Sequence, residues 1–140
     1  MKRILIINGP NLNLLGKREP EIYGTQSFEA YFEGLTYKYS ESATLTYYQS
    51  NHEGHLIDKL QDLGFEMDGI ILNAGGYTHT SIALADCVSA ITSPVIEIHI
   101  SDITKREPFR KLSYLTAVSK KSIMGHGLFG YDMAIDFLLQ

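Results

Sequence analysis

The stretch "KRILIINGPN", residues 2–11, decides how the rest of the chain is read. Ile4-Leu5-Ile6-Ile7 is an unbroken apolar run, and it stops at the turn signal Asn8-Gly9-Pro10. A half-exposed strand would alternate polar and apolar residues. A short run without alternation predicts a strand buried on both faces. Such strands belong to parallel sheets, where crossover helices cover both sides. The pattern recurs in "GIILN" (69–73), while "VIEIHI" (95–100) predicts a strand with an unusual alternation, Glu97 and His99 set among apolar residues. "TLTYYQS" (44–50) is β-branched and aromatic, and "KSIMG" (121–125) is a weaker strand.

Helical spacing fills the gaps between these strands. Phe28, Tyr31, Phe32, Leu35 and Tyr39 predict an amphipathic helix over 27–42, with Ser27 as N-cap. Leu56, Ile57, Leu60 and Leu63 predict one over 54–64, stopped by Gly64. Ile82, Leu84, Ala85, Val88 and Ile91 predict a third over 80–91, capped by Thr80 or Ser81 and ended by Ser93-Pro94. "YDMAIDFLL" (131–139) predicts a closing helix. Strand and helix alternate, so the fold class is α/β with right-handed crossovers. Five strands at this size predict a flavodoxin-like, doubly wound parallel sheet of order 2-1-3-4-5. The 140 residues suit a single domain over 1–140. In such sheets the ligand lies beyond the carboxyl ends of the strands, at the switch point between strands 1 and 3.

Bulk properties exclude several classes. The formal net charge is -4, with 12 Lys+Arg against 16 Asp+Glu. A phosphate-tracking surface needs clustered excess Lys/Arg, so a nucleic-acid partner is not expected. A single cysteine, Cys87, excludes an internal disulfide and a Cys-based structural zinc site, and fits a reducing cytosol. No segment approaches the roughly 18 apolar residues of a membrane span. The apolar run of "MKRILIINGP" is below the roughly 7–15 residues of a signal h-region. A cytoplasmic, membrane-free protein is expected.

The polar, Gly-rich loops collect at the carboxyl edge of the predicted sheet. They are 8–24 after strand 1, "NHEG" (51–54), "NAGGYTHTS" (73–81) and "SDITKREPFR" (101–110). Glu97 and His99 are two apart in a strand and share one face. The carboxylate is close enough to orient the imidazole and support its protonated form for proton donation. A buried structural pair bonding loop backbone is equally compatible with the spacing. The first loop holds Arg18 and Tyr23. A free tyrosine ionises near pH ~10, too high for a base, but a nearby guanidinium favours the phenolate. The bland alternative is an exposed arginine and a packed tyrosine. Gly16 and Gly24 bound this segment and Pro20 stiffens it, as suits a closing lid. Other signals mislead. "GHGLFG" (125–130) matches a dinucleotide fingerprint but opens no βαβ unit, and reads as a turn with a close helix approach. "HEGH" (52–55) lacks metalloprotease spacing, so zinc is not expected.

"ILIINGPNLNLLGKREPEIYG", "QSNHEGHLID", "NAGGYTHTSIALAD" and "VIEIHISDITKREPFR" together resemble the type II 3-dehydroquinate dehydratases, in order and nearly end to end, including the closing "GYDMA". The resemblance implies loss of water from 3-dehydroquinate to give 3-dehydroshikimate, in the shikimate or quinate pathway. It implies no metal, no cofactor and no covalent imine, and a homododecamer built from trimers. By position, Tyr23 would be the base, Arg18 would keep it ionised, and Asn11 would stabilise an enolate through a water. His99, backed by Glu97, would protonate the departing hydroxyl. Asn73, His79 and Arg110 would hold substrate hydroxyls. The backbone of Ile100 and Ser101 would take the carboxylate, and Asp86 would reach a neighbouring subunit's site. Asp102, Thr104 and Ala85 depart from common family residues, which bears on loop contacts and subunit packing. Two other classes compete. A non-catalytic flavodoxin-like module binding a small polyol carboxylate would have no need of Tyr23, Arg18 and His99 together. A nucleotide or flavin carrier would need a phosphate loop.

Overall fold

In the computed structural model, which describes residues 1–17, 21 and 25–140, five parallel strands form one sheet of order β2-β1-β3-β4-β5. The strands are β1 (Lys2–Asn8), β2 (Ala43–Gln49), β3 (Gly69–Asn73), β4 (Val95–His99) and β5 (Lys121–Met124). The sheet is flanked by the helices α1 (Phe28–Lys38), α2 (Glu53–Leu63), α3 (Ile82–Ala90) and α4 (Phe129–Leu139). This is the predicted fold and strand order. Arg18 and Tyr23 lie outside the described residues, as do Pro20 and Gly24.

The apolar runs are buried for the expected reason. Every residue of β3 and β4 is buried, as are Ile4 to Asn8 of β1. Ile4 and Ile6 face one core with Phe28, Leu35 and Ala134, while Leu5 and Ile7 face a second with Leu56, Leu60, Leu84 and Val88. Thus α1 and α4 cover one side of the sheet and α2 and α3 the other. β2 and β5 are the edges, which explains their weaker apolar character. No helix among the described residues is long and apolar enough to cross a membrane.

The boundaries differ in places. α1 ends at Lys38, short of the predicted 42. Ser40 to Ser42 turn the chain back, with Ser42 and Ala43 N–H both donating to the Tyr39 carbonyl. Ser27 caps α1 through the Ala30 N–H, and Ser81 rather than Thr80 caps α3 through the Leu84 N–H. Ile82, which the spacing predicts among the apolar residues of its helix, is 58% exposed and lies outside the core that Leu84 and Val88 enter. Gly64 ends α2 with ordinary right-handed backbone (φ -71°) instead of a left-handed cap. Its need for glycine is steric: a Cβ there would lie 2.2 Å from the Leu60 carbonyl oxygen and 2.7 Å from Ile91.

The loops after β1 and β3 fit together without spare room. A Cβ on Gly9 would sit 2.4 Å from the Ala74 carbonyl oxygen, and Gly75 adopts φ +60° against Pro10. The Gly9 N–H donates to the Asn73 carbonyl at 2.7 Å, so the turn signal after β1 holds the two loops at the switch point.

Candidate active site

A cavity of about 160 Å³ opens where the carboxyl ends of β1, β3 and β4 meet. The first loop supplies Asn11, Leu12 and Leu15 to its wall. The loop after β3 supplies Asn73, Gly75, Gly76 and His79. The end of β4 and the segment beyond it supply His99, Ile100, Ser101, Arg106 and Arg110. Seven of the eleven residues expected at a site therefore line one cavity: Asn11, Asn73, His79, His99, Ile100, Ser101 and Arg110. Glu97 stands directly behind His99. Asp86 is exposed on α3 and does not line the cavity of its own chain.

Asn11 is the only non-glycine residue with positive φ (69°) among those described. Asparagine tolerates this conformation better than most residues. Its N–H donates to Asn51 Oδ1 at 3.0 Å, and Gln49 Nε2 donates to the Gly9 carbonyl at 3.0 Å. The end of β2 thus braces the first loop.

Glu97 and His99 face the same side of β4, as the period of two requires, with His99 Nε2 2.6 Å from Glu97 Oε2. Glu97 is fully buried. Ser113 Oγ donates to Oε2 at 2.5 Å, and Ser122 Oγ and Thr116 Oγ1 donate to Oε1 at 2.5 and 2.7 Å. Ser122 is the register partner of Glu97 on β5, so its side chain points to the same face. The partners of the carboxylate are side-chain hydroxyls and an imidazole, not the loop backbone of the structural alternative. Burial pushes this carboxyl up, but the His99, Ser113, Ser122 and Thr116 hydrogen bonds outweigh it and bring it to about 2. Glu97 is therefore ionised across the neutral range and its bond to His99 takes the Nε2 proton. His99 Nδ1 is left for the cavity.

This has a stability consequence. The folded carboxyl is depressed from the ordinary 4.5 to about 2, so its contribution is fully present above pH 4.5 and lost as pH falls toward 2. Denaturant midpoints measured across that window are expected to fall more steeply for the wild type than for Glu97→Gln. Parallel curves would remove Glu97 as the source.

His79 is half-buried, and its Nδ1 lies 2.6 Å from the Leu112 carbonyl oxygen. A carbonyl only accepts, so Nδ1 carries the proton. Burial lowers the pKa of His79, the Leu112 bond works against this, and the positive neighbours His99, Arg110 and Arg106 lower it further. A neutral His79 offers Nε2 as an acceptor. Arg106 Nη1 donates to Ser101 Oγ at 3.2 Å. Arg110 Nε lies 2.8 Å from Glu107 Oε2, an ion pair without hydrogen-bond geometry. The cavity thus combines cations, an acceptor imidazole and a carboxylate-backed imidazole, a set suited to an anionic polyol. Among the described residues no cluster of His, Cys, Asp and Glu could hold a metal ion.

The family model for class II dehydroquinase matches residues 2–139. The chain is 52% identical over 138 residues to a 3-dehydroquinate dehydratase of an Exiguobacterium species, covering 99% of this chain and 94% of that one.

This chain belongs to the class II dehydroquinases.

It is also 47% identical over 141 residues to the 3-dehydroquinate dehydratase of Bacillus licheniformis, covering 99% and 97% of the two chains. The crystal structure of the type II dehydroquinase from Butyrivibrio crossotus superposes with a TM-score of 0.95 at 44% identity, over 99% of this chain and 98% of that one. The Propionibacterium acnes enzyme gives 0.93 at 34% identity, over 99% and 97%. In this dehydroquinase, sequence reasoning missed Arg106 on the cavity wall and the hydroxyls of Ser113, Thr116 and Ser122 around Glu97. A basic residue in "KREPFR" was a visible signal for the first. Nothing local marks the three hydroxyls, which sit in segments without catalytic character.

Proposed function

We propose that this chain, as a type II 3-dehydroquinate dehydratase, eliminates water from 3-dehydroquinate through an enolate intermediate. As a class II dehydroquinase it is a hydro-lyase. The observation that carries the mechanism is His99 at the cavity wall, bonded through Nε2 to a buried, hydroxyl-fixed Glu97. Tyr23, kept ionised by Arg18, takes the proton from the carbon next to the ketone. The electrons move to the carbonyl oxygen, and the enolate is stabilised by Asn11 through a water. The enolate then expels the hydroxyl, which leaves as water with the proton from His99 Nδ1. The imidazole ends neutral, with Nε2–H still on Glu97. An acidic carbon and a poor leaving group need a base and an acid at separate positions, and Tyr23 and His99 come from different strand ends.

Asn73, His79 and Arg110 hold the substrate hydroxyls. The backbone beyond β4, at Ile100 and Ser101, takes the carboxylate, where N–H groups favour an anion. Asp86 acts in a neighbouring subunit's site, which fits its exposure on α3. The assembly is a homododecamer of trimers of one catalytic domain, 1–140, working in the cytoplasm in the shikimate or quinate pathway. No metal, cofactor or imine takes part.

Purified protein given 3-dehydroquinate is expected to develop enone absorbance at an undiminished rate in the presence of chelator. Borohydride added with substrate is expected to leave it active. No turnover from folded, assembled protein would sink the dehydratase and favour a binding module, and borohydride inactivation would point to an imine.

A further inference from the structure

Asn73 is the carboxamide of the cavity wall, and its orientation is fixed from behind. Its Oδ1 accepts the Gly75 N–H at 3.2 Å, and its Nδ2 donates to the Tyr131 hydroxyl at 3.0 Å. Tyr131 lies in the first turn of α4 and is fully buried. Its hydroxyl in turn donates to Asn8 Oδ1 at 2.7 Å. Asn8 and Asn73 are register partners at the ends of β1 and β3. One phenol therefore joins the two strand ends that flank the switch point.

The ring is held on several sides. Phe28 packs edge-on with centroids 4.9 Å apart. Gly130 lets α4 close on β4, since a Cβ there would lie 3.0 Å from Ile98 Cδ1. Lys38 to Asp132 at 2.6 Å and Tyr39 to Asp136 at 2.8 Å tie α4 to α1. Burial pushes the phenol well above the ordinary tyrosine range, so it keeps its proton. That single proton goes to Asn8, which leaves the phenol oxygen only able to accept from Asn73. The reverse orientation of Asn73 would set its Oδ1 against the phenol oxygen and its NH2 against the Gly75 N–H. Both contacts are unfavourable in a buried place. With Oδ1 and one N–H engaged, the second N–H of Asn73 remains for a ligand.

We infer that Tyr131 is a positioning residue, which locks the Asn73 carboxamide so that the cavity is offered an N–H donor for a substrate oxygen. The identity of that substrate rests on the dehydratase reading; the hydrogen-bond chain does not.

A double-mutant cycle on the assembled enzyme tests this. Tyr131→Phe is expected to raise KM for 3-dehydroquinate roughly tenfold, the scale of one lost hydrogen bond, with the smaller part of its effect in kcat. In the Asn73→Ala background the same substitution is expected to change kcat/KM by less than about twofold, because it acts only through Asn73. An equal loss in both backgrounds, or an unchanged KM in folded Tyr131→Phe, overturns the inference. If Tyr131→Phe does not assemble, Asn8→Ala takes its place. It removes the acceptor that fixes the phenol proton, and the same coupling to Asn73 is expected. An inert wild type would defeat the dehydratase reading instead. Crystal structures would then decide the positioning role: Asn73 is expected to turn away from its wild-type orientation in Tyr131→Phe, and an unmoved Asn73 overturns it.

Discussion

Glu97→Ala is expected to lose about 3 kcal/mol or more of unfolding free energy and on the order of 10²-fold in kcat. The stability loss follows from what the carboxylate satisfies. It is fully buried and accepts from His99, Ser113, Thr116 and Ser122. Removing it leaves these donors facing a cavity, and buried donors without acceptors cost more than their bonds contributed. The catalytic loss has a separate origin. Without the carboxylate, nothing holds the proton on Nε2 or fixes the ring so that Nδ1, the donor of the proposed mechanism, faces the cavity. Glu97→Gln separates the two effects. It keeps the volume and one acceptor oxygen, so it is expected to unfold closer to the wild type. Its NH2 group, however, enters a ring of donors and favours the wrong tautomer of His99. Chemical denaturation and initial-rate kinetics on both variants check this. Glu97→Gln with wild-type turnover would show that His99 acts without its carboxylate.

Tyr23→Phe is expected to lose on the order of 10³-fold in kcat while keeping its fold, its assembly and KM within a few-fold, because a positioned general base is worth about 10²–10⁴. Tyr23 lies outside the described residues, so this expectation comes from chemistry and from the family. The reaction needs a base for a carbon acid. The cavity wall among the described residues offers two histidines, His79 with its Nδ1 proton committed to the Leu112 carbonyl and His99, the proposed acid, bonded to Glu97. The substitution removes one oxygen and little else. Single-turnover measurements should show the loss in the chemical step, and wild-type-like turnover would remove Tyr23 as the base.

The Glu97–His99 pair shows how far each level reaches. That the two side chains share a face was legible in "VIEIHI", since a strand alternates every residue. Whether they form a proton-transfer pair or a loop brace was not legible, because this depends on what surrounds the carboxylate. The surroundings come from Ser113, Thr116 and Ser122, separated from it by 16, 19 and 25 residues. Only the parallel register of β4 and β5 puts Ser122 beside it. Likewise Gly64 was legible as the end of α2, while its steric reason, the approach of Ile91, was not.

The sequence by itself determined the alternation of strand and helix, the layered parallel sheet and the edge where the polar loops collect. Those follow from burying apolar faces and from the short-range periods of strand and helix, both of which are written locally. The tertiary structure alone decided the polar wiring: the hydroxyls on Glu97, the neutral tautomer of His79, and the reach of Tyr131 across 123 residues to Asn8. Such bonds have no local period. They arise because polar atoms left in a dry interior must find partners among whatever the assembled sheet brings within reach.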